Sequence, residues 1–233
     1  MAQTRTAPGA QEFIPPGVRS LTALREAAAS CRGCELYVDT TQTVFGRGAV
    51  RAPVVMIGEQ PGDIEDREGV PFVGPAGKVL RRAVDDAGLE PRQLYLSNAV
   101  KHFRHTVRGK RRLHQTPDQV HIVACRPWLV AEFALLRPQV IVVLGAIAAK
   151  ALLGPSFRVT RERGVLLPWP ESAQRPADFT RPPAAANGRV GPVEPTRLLA
   201  TIHPSAVLRA DDREDAYAGL VADLTVVAGA LAA

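Results

Sequence analysis

The sequence predicts an α/β fold in which helices cover both faces of a parallel sheet. Short apolar segments alternate with segments of helical pattern along the chain. The predicted strands are apolar on both faces, as expected for a parallel sheet that is buried on both sides. Four strands are expected, at 54–57, 94–97, 140–144 and 197–202. The resulting architecture has three layers, α/β/α, around a central four-stranded parallel sheet.

Predicted helices fill the intervals between these strands. Ser20 is a suitable N-cap for the first helix. Pro75 stands at the first position of the second helix, which proline favours, and Gly88 ends that helix. The helices are expected at 21–30, 74–87, 116–136, 146–153 and 213–231.

The chain is expected to form one domain, residues 19–233, after a short leader. Residues 1–18 contain two proline-rich spots and no apolar run typical of a secretory signal, so we interpret them as the flexible leader of a cytoplasmic protein. Residues 168–195 are rich in Pro, Ala and Gly and lack periodicity, which predicts a long surface insertion. The longest apolar run is broken by Gly145 and Lys150, so we expect no membrane span. The expected oligomeric state is a monomer.

Positive charge is in excess and is concentrated in one loop. The chain has 29 Lys and Arg against 23 Asp and Glu, and a pI near 9.7. Such an excess suits an anionic partner such as nucleic acid, although an Arg-rich composition explains it equally well. The loop from Arg108 to His114 carries four cations in five residues. It has to face solvent or a polyanion, and its terminal imidazole could be aimed into whatever the cations hold.

Polar residues follow three of the predicted strands. Residues 59–63 follow the first strand, residues 98–102 the second and residues 203–205 the fourth. Ligands of open parallel sheets bind beyond the carboxyl ends of the strands, so these residues are expected on one rim. Carboxylates there could position water, orient an imidazole or stabilise a cationic sugar, whereas the alternative is a surface turn decorated with acids. Phe72, before a helix, could stack on a flat ligand, although a single Phe is more often a core residue.

Three cysteines suggest a metal or cluster site. Cys31 and Cys34 form a Cys-x-x-Cys pair, and Cys125 lies far along the chain. In a reducing compartment this pattern favours a metal or cluster over a disulfide. A tetrahedral site needs a fourth ligand, for which the spacing on one helix face favours His121, with His102 as the competitor.

Taken together, these motifs resemble the uracil-DNA glycosylase superfamily, in its iron–sulfur branch. The resemblance spans residues 31–209 and rests on the order of five segments, which are Gly58–Gly62, Pro71–Gly74, Ser97–Lys101, Cys125–Pro127 and His203–Arg209. It implies the uracil-DNA glycosylase fold and a DNA repair enzyme that excises uracil from DNA. The insertion Lys110–His114 is similar to that of the UdgX subgroup. Members of that subgroup become covalently attached to the abasic site through the histidine of this loop.

The resemblance implies a role for each residue near the sugar and the base. His114 would be the nucleophile, Glu59 would orient or deprotonate it, and Asp63 would serve the sugar side. Phe72 would stack on the extruded uracil, and Asn98 would read its amide edge and reject cytosine. His203 would donate to uracil O2. The other expected substrate contacts are Gly58, Gln60, Lys110, Arg111, Arg112, Ser205 and Arg209.

The resemblance also implies a 4Fe-4S cluster. Its ligands would be Cys31, Cys34, His102 and Cys125, with His102 where the family usually has a cysteine. The spacing argument for His121 and a zinc ion remain as alternatives.

Elementary chemistry supports a single-use reaction. The target base has to be extruded from a duplex or lie in a single strand, and we expect single-stranded uracil-containing DNA as the substrate and uracil as the product. Bond cleavage places positive charge on the sugar and negative charge on uracil. A neutral imidazole near C1′ would compete with water, and the bond it forms has no obvious leaving group. The alternatives are a glycosylase that turns over, with His114 contacting phosphate, and a non-catalytic binding module.

Overall fold

A six-stranded sheet forms the centre of the protein in a computed structural model that describes residues 9–153, 156–168 and 196–232. The strands are β1 Arg47–Gly48, β2 Val54–Gly58, β3 Leu94–Asn98, β4 His105–Arg108, β5 Arg111–His114, β6 Val140–Leu144, β7 Leu166–Pro168 and β8 Arg197–Thr201. The helices are α1 Leu21–Ala28, α2 Asp63–Glu68, α3 Pro75–Asp86, α4 Gln119–Leu136, α5 Ala146–Leu153, α6 Val159–Glu162, α7 Pro204–Arg209 and α8 Arg213–Ala232. Short 3-10 turns occupy Ala10–Phe13, Glu35–Val38 and Pro91–Gln93.

The predicted four-stranded parallel sheet is confirmed. The strand order is β1-β3-β2-β6-β8-β7, and the four central strands are parallel. The edge strands β1 and β7 are antiparallel to their neighbours and were not predicted. They have two and three residues, too few to show a period in the sequence.

Alternate residues of the central strands pack into two apolar layers. Val55 and Ile141 lie in one cluster with residues of α1, α4 and α5. Val54 and Val140 lie in the other, with residues of α3, α7 and α8. All five positions of β2 and of β6 are buried, which explains why the sequence is continuously apolar there. Each fully buried aliphatic side chain contributes about 1.5–3 kcal/mol to folding.

Helix boundaries follow the capping residues. The Ser20 hydroxyl accepts the N–H of Ala23 at 3.1 Å, as predicted. Helix α4 begins at Gln119 rather than at 116, because Asp118 occupies its N-cap. Helix α2 was not predicted, since the six residues between Gly62 and Gly69 form fewer than two helical turns, too few to show a helical period of apolar residues.

The basic loop is a β-hairpin, which the sequence did not predict. Strands β4 and β5 pair antiparallel, with Arg108 opposite Arg111 and His105 opposite His114. Gly109 forms the turn with φ of +61°, a conformation that glycine adopts at little cost. Few positions of the hairpin are apolar, so the alternation that marks a strand is absent.

Folded structure begins before the predicted domain start at residue 19. The turn Ala10–Phe13 buries Ala10, and the N–H of Gly9 donates to Gly33 O at 3.0 Å. The first eight residues of the predicted leader and residues 169–195 of the predicted insertion lie outside the described residues. Among the described helices, α4 and α8 are long and apolar enough to cross a membrane, but core helices of soluble proteins meet the same criterion.

Candidate active site

A cleft of about 900 Å³ opens at the carboxyl ends of the parallel strands. This is the rim at which the topology predicts a ligand. The cleft gathers loops that follow β2, β3, β6 and β8 and the last residue of β5. The predicted site residues in its wall are Glu59, Gln60, Asp63, Phe72, Asn98, His114, His203, Ser205 and Arg209.

A narrow slot between Phe72 and Asn98 forms one end of the cleft. A Cβ on Gly58 would collide with the Asn98 Oδ1 atom and with the Phe72 ring, so only glycine leaves this space open. Phe72 has φ of +58°, a strained conformation for a residue with a side chain. Strain at such a position is typical of functional sites. The Phe72 ring and the Asn98 carboxamide thus lie side by side next to Gly58 in the wall of the cleft.

His203 presents a hydrogen-bond donor to this slot. Its ring lies 6.3 Å from the Phe72 ring, centroid to centroid. The Ser205 N–H donates to His203 Nδ1 at 3.1 Å, which places the ring proton on Nε2. Burial, aided by the Arg209 and His114 charges, lowers the pKa of His203 to about 4. The ring is therefore neutral near pH 7 and donates through Nε2–H.

Ser205 supports His203, and its expected substrate contact remains a prediction. Its hydroxyl lies 2.7 Å from His203 Nδ1. Both the amide and the hydroxyl of Ser205 thus fix the orientation of the imidazole. Arg209, at the end of α7, lines the cleft as expected of a substrate contact.

Glu59 and His114 face one another across the cleft. Their Oε1 and Nε2 atoms are 3.7 Å apart, and Glu59 Oε1 is buried without a hydrogen-bond partner. Burial raises the pKa of Glu59 to about 7, against an opposing effect of Arg209. Burial, with Arg209 second, lowers the pKa of His114. A neutral imidazole thus stands beside a carboxyl group poised to accept a proton near physiological pH.

Arg112 points inwards and ties the hairpin to α2. Its guanidinium binds the carboxylates of Asp63 and Asp66, the latter at 2.6 Å, and lies over the Phe103 ring. Burial works against ionisation of Asp63, but the Arg112 hydrogen bond and charge outweigh it and lower its pKa. Arg112 and Asp63 are thus engaged with one another, and their expected contacts with DNA and with the sugar remain predictions.

Gln60 closes the base of the hairpin through its side-chain amide, and its expected substrate contact remains a prediction. Its Nε2 donates to the carbonyls of Arg104 at 3.1 Å and Gln115 at 3.0 Å. Its Oε1 accepts the N–H of Arg104 at 3.0 Å. Lys110 and Arg111 are exposed at the hairpin tip, as expected of phosphate contacts.

Asp66 was one of the carboxylates expected near the site, but its pairing with Arg112 beside Asp63 was not predicted, and Phe103 was missed by the sequence analysis. Asp66 follows Asp63 by three residues, so both carboxylates lie on one face of α2 within reach of one guanidinium. That spacing is the signal that could have revealed the pair. Phe103 gave no signal, because it looks like any buried aromatic until the hairpin packs on it.

The family model of the uracil DNA glycosylase superfamily matches residues 45–225. The chain belongs to this superfamily. It is 34% identical over 173 residues to the type-4 uracil-DNA glycosylase of Sulfurisphaera tokodaii, covering 72% of this chain and 76% of that protein. It is 31% identical over 189 residues to that of Pyrobaculum aerophilum, covering 81% and 85%. It is 37% identical over 133 residues to that of Archaeoglobus fulgidus, covering 57% and 63%. These relatives support membership of the iron–sulfur branch.

Three buried thiols carry the donor chemistry of this branch of the superfamily. Cys31, Cys34 and Cys125 are all free and buried. Burial raises the pKa of Cys34 to about 11 and also that of Cys125, and the neighbouring cysteines add to both effects. The Trp128 indole N–H donates to Cys31 at 3.3 Å and the Lys101 N–H to Cys125 at 3.2 Å, interactions that suit thiolate or cluster sulfurs.

Three thiols and an imidazole are donors of the kind that hold iron–sulfur clusters. Within residues 9–153, 156–168 and 196–232, no three His, Cys, Asp or Glu side chains are grouped closely enough to hold one metal ion. The donor set therefore fits the cluster in its chemistry.

The fourth ligand predicted from spacing, His121, is engaged elsewhere. Its Nδ1 accepts the N–H of Asp118 at 2.9 Å, and its Nε2 lies 2.7 Å from Glu35 Oε1. His121 thus caps α4 with both nitrogens occupied. His102 is buried with its Nε2 3.0 Å from the Thr43 hydroxyl, and burial lowers its pKa to about 4. Its neutral imidazole has the protonation state that a ligand needs.

Proposed function

We propose that this protein excises uracil from single-stranded DNA and then becomes covalently linked to C1′ of the abasic sugar through His114. The observation that carries the proposal is the placement of His114, 3.7 Å from the Glu59 carboxyl in the wall of the cleft that also holds Asn98 and His203. In this proposal Asn98 reads the base, His203 donates to the departing anion, and His114 is the nucleophile of the same cleft.

Uracil recognition falls to the slot. The Phe72 ring covers one face of the base, and the Asn98 carboxamide pairs with its amide edge. Cytosine places an amino group where uracil has a carbonyl, so the same carboxamide orientation leaves one polar pair mismatched. An unpaired buried polar group costs about 1–3 kcal/mol, which is enough to discriminate between the two bases.

Cleavage moves the electron pair of the C1′–N1 bond onto uracil. The departing anion accepts a hydrogen bond from His203 Nε2–H, whose neutral ring is maintained by burial. The sugar retains a positively charged C1′. Because the pKa of Glu59 is about 7, part of the protein carries a carboxylate near that cation at physiological pH.

Capture follows when the imidazole lone pair of His114 attacks C1′. A new N–C1′ bond forms, and the proton on the other ring nitrogen passes to Glu59, which leaves a neutral N-glycosyl imidazole. The hairpin holds this nucleophile at high effective concentration relative to water. The lowered pKa of His114 keeps the lone pair available.

The decisive assay mixes the protein with an excess of a single-stranded oligonucleotide that contains one uracil. The expected result is one uracil released per protein and a species of protein plus DNA that survives heat and detergent on a denaturing gel. His114→Ser should abolish that species while free uracil still appears. Multiple turnovers by the wild type without an adduct would favour a conventional glycosylase, and the absence of any free uracil would favour a binding module.

A 4Fe-4S cluster is proposed on Cys31, Cys34, His102 and Cys125. When bound, it ties the N-terminal Cys-x-x-Cys turn to α4 and to the segment after β3. Purified protein is expected to be brown, with iron and sulfide in equal amounts. Zinc alone in the protein would contradict the cluster.

A further inference from the structure

A fully buried ion pair joins Lys101 and Glu132 outside the reacting centre. Both side chains have no solvent exposure, and Nζ lies 2.6 Å from Oε2. Lys101 follows β3 by three residues, and Glu132 lies on α4. Glu132 also accepts the hydroxyls of Tyr95 at 2.9 Å and Ser97 at 3.0 Å. The pair is embedded in a satisfied polar network.

Lys101 connects the base reader to α4. Its Nζ donates to the main-chain carbonyl of Asn98 at 3.0 Å and to the Ser97 hydroxyl at 2.6 Å. Its main-chain N–H donates to Cys125 Sγ at 3.2 Å. Cys125 and Glu132 are seven residues apart, so they lie two turns apart on the same face of α4. Lys101 therefore bonds to α4 through Glu132 and Cys125, and to the end of β3 through the Asn98 carbonyl.

Stability alone does not account for such a pair. Replacing a buried ion pair by well-packed apolar residues is often neutral or stabilising, whereas removing one partner is strongly destabilising. The position of the pair, directly behind Asn98, is its distinctive property. The Asn98 side chain and the Phe72 ring leave no room for a Cβ on Gly58, so a small displacement of the Asn98 main chain would close or distort the slot.

We propose that Lys101 and Glu132 are positioning residues for uracil recognition, which hold the Asn98 main chain against α4 so that its carboxamide faces the base. The inference rests on the proposed uracil recognition but not on the covalent step. Neither residue touches the substrate. The pair acts through the Asn98 carbonyl.

The test uses the full-length double variant Lys101→Met/Glu132→Leu, which replaces the ion pair with apolar side chains. We expect cooperative unfolding like that of the wild type, together with a loss of uracil affinity of about 10-fold, measured as product inhibition by free uracil. Single-turnover excision should fall about 10- to 100-fold, as expected for a displaced recognition group. Tyr95→Phe is the matched control, because it removes a hydroxyl from the same carboxylate without a contact to Asn98, and it should retain both values.

The outcomes separate the possible failures. A folded double variant with wild-type uracil affinity and excision rate would overturn the inference. If the double variant does not fold, Glu132→Gln keeps the shape of the network and weakens its hold on Lys101. Reduced uracil affinity in folded Glu132→Gln would then support the inference, and unchanged affinity would overturn it. A wild type that neither releases nor binds uracil would instead refute the proposed function.

Discussion

Replacing Arg112 with alanine is expected to uncouple uracil excision from covalent capture. Arg112 is the anchor of the hairpin that carries His114, and only 16% of its side chain is exposed. The variant leaves the slot residues Phe72, Asn98 and His203 in place. Excision should therefore continue, while the nucleophile loses its fixed position.

The magnitude follows from the two ion pairs that the Arg112 guanidinium forms. Asp66 has no solvent exposure, and its bond to Arg112 is charge-assisted, so removing that bond costs about 1.5–3 kcal/mol. Asp66 keeps its two bonds from the Thr41 N–H, which limits the penalty. Asp63 is 36% exposed, so its bond adds less than about 1 kcal/mol. The two lost interactions together cost about 2–3 kcal/mol, which lowers the equilibrium constant for docking of the hairpin on α2 by a factor of roughly 30 to 150.

The assay measures how the abasic product is partitioned. Protein reacts with uracil-containing single-stranded DNA, and the gel separates covalently bound DNA from free abasic DNA. For Arg112→Ala the covalent fraction should fall by about the factor above, with uracil release within a few-fold of wild type. Arg111→Ala, at the exposed neighbouring position, should leave the fraction unchanged at saturating DNA. Equal capture by Arg112→Ala and the wild type would refute the reasoning.

Three further results are expected. Covalent capture should increase as pH rises through about 7, because the raised pKa of Glu59 leaves the carboxyl protonated below that value, and Glu59→Gln should flatten the capture profile. Gly58→Ala should lower the single-turnover rate of uracil excision by about 100-fold, since its Cβ would collide with Asn98 and Phe72, whereas Gly229→Ala, with no neighbour within 4 Å, should leave this rate unchanged. His102→Ala should abolish the visible absorption of the cluster, whereas His121→Ala should keep the colour and lose about 1 kcal/mol of stability in thermal unfolding. Colour retained by His102→Ala, or lost by His121→Ala, would contradict the ligand assignment.

The sheet and the cleft were predictable because burial leaves a strong mark on sequence. Strands β2 and β6 are buried at every position, and their apolar runs predicted both their bounds and their parallel pairing. The rule that ligands bind at the carboxyl ends of parallel strands then placed Glu59, Asn98 and His203 together.

Side-chain partners were less predictable, since they depend on tertiary structure. In the sequence Arg112 looks like one of four equivalent cations, and only the position of α2 selects it for Asp63 and Asp66. His121 shows the same limit. Its spacing from Cys125 is compatible with a metal ligand, but the same ring satisfies the N-terminus of α4.

Under the proposed mechanism, competition between water and His114 for the sugar decides whether the site turns over. Water reaches any open cleft, whereas the imidazole competes only while the hairpin is docked. Gln60 and Arg112 hold the hairpin at separate places, its base and its second strand. Loosening either one lowers the effective concentration of the imidazole without removing the base reader. Conversion to a conventional glycosylase therefore requires no new catalytic group. It requires only that water attacks C1′ before the His114 imidazole does.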